Sequence, residues 1–288
     1  MKRIAILFVT AILLSSASRG QDPDSFPVFT RADSLRGSLN PERLYNVLRY
    51  DLSVTPDYDS RYITGSNRIT YLDSGHNFLQ IDLQPPLEID SIVQNSRKLS
   101  FRREGSVFHV YAGDSLNRRK ICASCPETLT VYYHGFPHIA VNPPWGKGGW
   151  VFTEDALGRP WMSVACESTG ASIWYPCKDY LGDEPDSGAS LSITVPDNLV
   201  AIGNGRLEEK TGNGNGSTTW KWVVKNPINN YDLIPYIGKY AGWHSDYAGE
   251  KGKLDCDFWA LDYNLEKAKS HFTGVDSMLR CFEYWFGP

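Results

Sequence analysis

Between residues 40 and 240 the chain is built from short runs in which apolar and polar residues alternate, each closed by a Pro, Gly or Asn cluster. A side-chain period of two belongs to strands with one buried face, and it excludes a helical bundle. Leu48, Tyr50, Leu52 and Val54 share one face, with Arg49, Asp51 and Ser53 on the other. Leu79, Ile81 and Leu83 alternate with Gln80 and Asp82 as the polar face, and Leu129, Val131 and Tyr133 with Thr130 and Tyr132. Leu191, Ile193 and Val195 run into Pro196-Asp197-Asn198, and Trp220, Trp222 and Val224 follow Asn213-Gly214-Asn215-Gly216, a hairpin signal. Pro85-Pro86, Pro143-Pro144 and Gly148-Gly149 fall between runs. The expected architecture is mainly β, a multi-stranded, mostly antiparallel sheet assembly with no helix interrupting it.

The pattern changes at the end. From Leu265 to Phe286, Val275, Leu279, Phe282 and Phe286 recur at helical spacing, with Met278 and Trp285 beside them. So wide an apolar stripe requires a partner. Two readings are open: the first helix of a second domain, or a closing helix docked on the sheet.

Lys2 and Arg3, the apolar run Ile4 to Leu14 and the small residues Ser15 to Ser18 before Gly20-Gln21 have the layout of a secretory signal peptide. The run is too short to span a bilayer. Export to the periplasm or the extracellular space is expected, with no integral membrane segment. Cleavage after Gly20 removes Lys2, Arg3 and Arg19 and takes the formal charge from -4 to -7, which disfavours nucleic acid as a partner. Of the six cysteines, Cys122 and Cys125 form a lone Cys-x-x-Cys before a strand, which argues against zinc and leaves a loop disulfide or two free thiols.

Common catalytic templates are missing. There is no Gly-x-Ser-x-Gly, no Gly-x-Gly-x-x-Gly opening a helix, no phosphate loop and no His-Glu-x-x-His. His134 and His138 are four apart, yet Gly135 and Pro137 forbid a helix and no Glu lies between them, so they read as strand-end residues. His109 reads as outward-facing in a strand, Asp183-Glu184-Pro185-Asp186 as a solvated turn, and Gly203-Asn204-Gly205 as a turn at a strand end. Glu167 differs. It follows Val164-Ala165-Cys166 and precedes Gly170-Ala171, and a carboxylate in so apolar a segment must be exposed, paired or reserved for a cationic ligand such as a peptide α-amine.

Val164-Ala165-Cys166-Glu167 followed by Ala171-Ser172-Ile173-Trp174-Tyr175-Pro176-Cys177-Lys178-Asp179 resembles the N-terminal domain of aminopeptidase N-type zinc metallopeptidases, the gluzincin exopeptidases that include the leukotriene hydrolases. That family carries a Thr-Gln-x-Glu/Gln element and an Ala-Arg-x-x-Phe/Tyr-Pro-Cys-x-Asp corner. Arg49 to Val54, Leu191 to Gly205 and Phe282 to Pro288 resemble further family elements, so the likeness runs from about residue 40 to 288. It implies a saddle-shaped β domain over residues 21–241 and the start of a thermolysin-like catalytic domain over 242–288. It implies that Glu167 binds the free N-terminal amine of a peptide substrate. It also implies a zinc cofactor for a longer enzyme, whose zinc helix, glutamate base and transition-state Tyr would follow Pro288, with no metal bound by these residues. Ala165 stands where many members have Gln, and Ser172 where many have Arg. The rival expectation is an exported, non-catalytic β module that binds peptides or glycans through Trp145, Trp150, Trp161, Trp174, Trp220 and Trp222.

Overall fold

A computed structural model describes residues 31, 35–36, 43–73, 78–111 and 125–288. The signal-peptide expectation, Cys122 and His76 lie outside these residues. Ten of the strands run in chain order as β1 (Asn46–Asp57), β2 (Tyr62–Leu72), β3 (Phe78–Asp82), β4 (Glu88–Gln94), β5 (Arg97–Leu99), β6 (Phe101–Glu104), β7 (Val107–Tyr111), β8 (Pro126–Gly135), β9 (Gly149–Glu154) and β10 (Pro160–Ala165). After a break come β11 (Ala189–Pro196), β12 (Val200–Ile202), β13 (Arg206–Gly212), β14 (Ser217–Val224), β15 (Tyr236–Gly238), β16 (Tyr240–Gly249) and β17 (Gly252–Leu261). The mainly β expectation is borne out.

The longest alternating runs make one eight-stranded sheet in the order β13-β14-β11-β1-β2-β8-β4-β5. Its neighbours are antiparallel except β1 and β11, which run parallel from Tyr50 opposite Ala189 to Val54 opposite Ile193. Tyr50, Leu52, Val54, Leu129, Val131, Tyr133, Leu191, Ile193 and Val195 are all buried, and each such aliphatic side chain contributes about 1.5–3 kcal/mol on leaving water. Leu48 departs from the expected face. The register against β2 shifts between Val47 and Arg49, so Val47 takes the core position and Leu48 is half-buried.

Three smaller groupings complete the β structure: β12-β15-β10-β9, β3-β7-β6 and the β16-β17 hairpin. Strand β3 corrects the alternation reading, because Gln80 and Asp82 are as fully buried as Ile81. Arg43 and Leu35 cover the second face: Arg43 Nη2 donates to Asp82 Oδ2 at 2.6 Å, and Gln80 Nε2 to the Leu35 carbonyl at 2.8 Å. His109 is likewise not outward. Its side chain is 17% exposed and its Nε2 lies 3.3 Å from Glu104 Oε2. In the acidic run, Asp183 turns inward onto Lys178 Nζ at 3.0 Å, while Glu184 and Asp186 remain exposed.

The C-terminal stripe forms two helices rather than one, α1 (Leu265–His271) and α2 (Val275–Phe286), separated by a 3-10 turn at Phe272–Gly274. Gly274 is the weakest helix former in the segment, and the break falls there. No residue of α2 is buried, and Trp285 and Phe286 are 71% and 83% exposed. Glu283 fastens the helix to the hairpin: its Oε2 accepts from the Tyr247 hydroxyl at 2.6 Å and its Oε1 from the Glu250 N–H at 3.0 Å. Glu283→Ala is expected to speed amide exchange in α2 about tenfold, the equivalent of one charge-assisted hydrogen bond, with exchange in the eight-stranded sheet unchanged. No helix among the described residues is long and apolar enough to cross a membrane.

Candidate functional site

The site is built on the segment that leaves β10. Trp174, Tyr175 and Cys177 are completely buried, and the Trp174 ring meets Trp150 edge-on at 6.0 Å and Tyr175 at 4.7 Å. Asp82 and Cys177 exchange backbone hydrogen bonds at 2.8 and 3.1 Å, and Asn67 Nδ2 donates to the Pro176 carbonyl at 2.8 Å. Burial pushes the Cys177 thiol well above its ordinary range, which makes it an inert packing group. Cys166 is free and buried, and Cys125 is disulfide-bonded.

Beneath this corner lies a buried polar network. Asp82 accepts from Arg43, from the Asp179 N–H at 2.8 Å and from Gln80 Nε2 at 3.1 Å. Burial pushes its carboxyl up to about 7, against the opposing pull of Arg43 and of the Asp179 N–H. Lys178 donates to the Tyr45 carbonyl at 2.7 Å as well as to Asp183. Asp179 accepts from Ser172 Oγ at 2.6 Å, and Arg36 Nη1 lies 3.4 Å away. Asp179 thus has a guanidinium from far upstream and a hydroxyl from Ser172 as its partners.

Glu167 sits in the turn after β10. Thr169 N and Gly170 N both donate to the Cys166 carbonyl, and Ser168 adopts a positive φ of 61°. Gln84 Nε2 donates to the Thr169 carbonyl at 2.6 Å, and Arg36 Nη1 donates to the same oxygen. Gly148 packs directly beneath: a Cβ there would stand 2.1 Å from Thr169 Oγ1 and 3.0 Å from the Glu167 carbonyl. Only a residue without a side chain permits that approach. The turn is fixed from below, and the Glu167 carboxylate is exposed with no ion pair or side-chain hydrogen bond among the described residues. It lines a cleft of about 800 Å3 together with Val164, Gly170, Asp179, Tyr231 and Tyr236, within the size range of small-ligand sites.

The other sequence features lie outside this cleft or in the core. His134 ends β8 in extended backbone and pairs with Asp90 at 2.7 Å. Trp150, Trp174, Trp220 and Trp222 are buried, and Trp161 is half-buried with Nε1 donating to the Tyr240 hydroxyl at 2.8 Å. Trp145, 84% exposed, is the one Trp of the expected binding surface that faces water fully. The Trp-lined module therefore has no surface of the kind it needs. Sequence reasoning missed Arg36, Gln84, Asp232 and Gly148, none of which carries a local motif.

No protein-family model matches the chain, and no curated protein matches it. Solved structures do. The M1 zinc metallopeptidase from Deinococcus radiodurans superposes with a TM-score of 0.64 at 17% identity, over 85% of this chain and 54% of that one. A variant of that enzyme bound to a Tyr-Ser-Ala substrate gives the same TM-score and coverage at 18% identity. Native yeast LTA4 hydrolase gives 0.62 at 16% identity, over 91% of this chain and 38% of that one. The chain thus spans about half the length of the first and less of the second. At these identities the likeness is one of fold, and the fold is that of the N-terminal domain of M1 zinc metallopeptidases.

Proposed function

We propose that this chain is the peptide-anchoring part of an exported zinc aminopeptidase, in which Glu167 binds the free α-amine of the substrate. The observation that carries this reading is an unpartnered carboxylate, set on a rigid turn, in a cleft large enough for a peptide end. An ammonium placed there gains a charge-assisted hydrogen bond that an acylated terminus cannot make. The fold shared with M1 zinc metallopeptidases supports a peptidase-related role; in this reading residues 21–241 are the anchoring domain and 242–288 open a catalytic one.

The residues present do not fit the zinc itself. A catalytic zinc takes three protein ligands and one open position. Among the described residues the one group of three metal-ligating side chains is His244, Asp246 and Asp255, exposed on the β16-β17 hairpin and not among the cleft residues. Lys253 Nζ already lies 2.9 Å from Asp246 Oδ2. No step of hydrolysis is assigned to the described residues, and the zinc chemistry is proposed for a catalytic domain of a longer enzyme. Calorimetric titration with leucinamide and Nα-acetyl-leucinamide tests the anchor. We expect leucinamide to bind at least tenfold more tightly, as a charged hydrogen bond of about 1.5–3 kcal/mol requires. Equal binding of the two would end the reading.

A further inference from the structure

The cleft that presents Glu167 has a second exposed carboxylate, Asp232, among its lining residues. Asp232 ends the short 3-10 turn Asn230–Asp232, and that turn is tied to the corner beneath Glu167. The buried Asn230 donates through Nδ2 to the Lys178 carbonyl at 2.9 Å and accepts at its own carbonyl from the Tyr175 hydroxyl at 2.7 Å. Leu233, 1% exposed, pins the other end. The backbone that carries Asp232 is therefore packed onto the same corner that carries Glu167.

The charges in the cleft do not balance internally. Arg36 is the one cation among its lining residues, and the buried Asp179 neutralises it. Glu167 and Asp232 are both exposed, and neither has an ion pair among the described residues. Burial first and Asp179 next raise the Cys166 thiol, in the residue before Glu167, and the charge of Asp232 adds to them. A peptide with an uncharged first side chain brings one positive charge, its α-amine, and leaves one carboxylate uncompensated. Tyr231 and Tyr236 line the same cleft as Asp232, and aromatic rings near a carboxylate accommodate both the apolar stem and the charged head of a long basic side chain.

We propose that Asp232 makes the site selective for peptides whose first residue is Lys or Arg, with Glu167 taking the α-amine and Asp232 the side-chain cation. This selectivity rests on the amine-anchor reading of Glu167. The test compares lysinamide, norleucinamide, which keeps the stem and lacks the charge, and Nα-acetyl-lysinamide, by calorimetry on the whole chain. Lysinamide is expected to bind about fivefold more tightly than norleucinamide, the upper range for a solvent-accessible ion pair. Asp232→Asn should bring that ratio to within about twofold, and Asp232→Lys should reverse it. The reversal keeps the test decisive should the first variant be poorly folded. Selectivity is overturned if lysinamide holds no advantage, or if both Asp232 variants retain it, and the amine anchor survives that result as long as acetylation still weakens binding about tenfold or more. Acetylation without effect overturns both.

Discussion

Arg43→Met is expected to lower the unfolding free energy by about 3–5 kcal/mol, the range for removing one partner of a fully buried ion pair. Neither Arg43 nor Asp82 has exposed side-chain surface, and their closest atoms are 2.6 Å apart. Methionine fills much of the volume but leaves the Asp82 carboxyl in a dry site with only the Asp179 N–H and Gln80 Nε2 as donors. The loss should depend on pH in a stated direction. Burial raises the Asp82 carboxyl to about 7 in the folded protein, above the ordinary 3.8 of an aspartate. Between those values the folded state holds a proton that the unfolded chain has released, so stability falls as pH rises from about 4 to about 7. Removing the cation pushes the folded value higher still and extends the fall, so denaturant titrations should find a larger deficit at pH 8 than at pH 5. Adding Asp82→Leu to Arg43→Met should recover most of the stability, since two apolar groups replace a desolvated pair. An unchanged midpoint in the single variant would show that the pair is not the keystone of the corner.

Trp174→Ala is expected to cost a similar amount, about 3–5 kcal/mol, through a different cause. Its indole is completely buried between Trp150 and Tyr175, so truncation opens a cavity that neither neighbour can fill without leaving its edge-on geometry. Trp174→Phe keeps a six-membered ring in the site and leaves a smaller cavity, so it should lose less than half as much. Thermal unfolding of both variants separates packing from a specific role of the indole. Tyr175, next in sequence, carries the hydrogen bond to Asn230, so the alanine variant should also loosen the wall that bears Asp232.

The large sheet was legible because its strands bury one face: Leu129, Val131 and Tyr133 alternate with Thr130 and Tyr132 as a period of two requires. The same rule failed at β3, where Gln80 and Asp82 are covered by Arg43 and Leu35, residues that meet them only in three dimensions. A local pattern reports what one strand offers, not what a distant segment lays over it. Local composition left Glu167 as an exposed strand-end acid, which it is, and its proposed role came from the family resemblance rather than from its neighbours. Asp232 does not stand out in the sequence, because an acid in the polar stretch 229–232 is ordinary, and its meaning comes from the cleft it shares with Glu167. Arg36, which meets Asp179 from more than a hundred residues away, was invisible for the same reason. At the C-terminus the helical period was right and the continuity wrong, because Gly274 interrupts a stripe that periodicity alone would run through.

The most direct measurement is a thermodynamic cycle that pairs Glu167 with the α-amine: leucinamide and Nα-acetyl-leucinamide, each titrated into the native chain and into Glu167→Gln. Glutamine keeps the shape and removes the charge. A coupling of about 1.5–3 kcal/mol between side chain and amine is predicted, with the acetylated ligand indifferent to the substitution. A coupling near zero, with native and Glu167→Gln chains binding both ligands alike, would contradict the assignment of Glu167 as the group that receives the peptide's positive end.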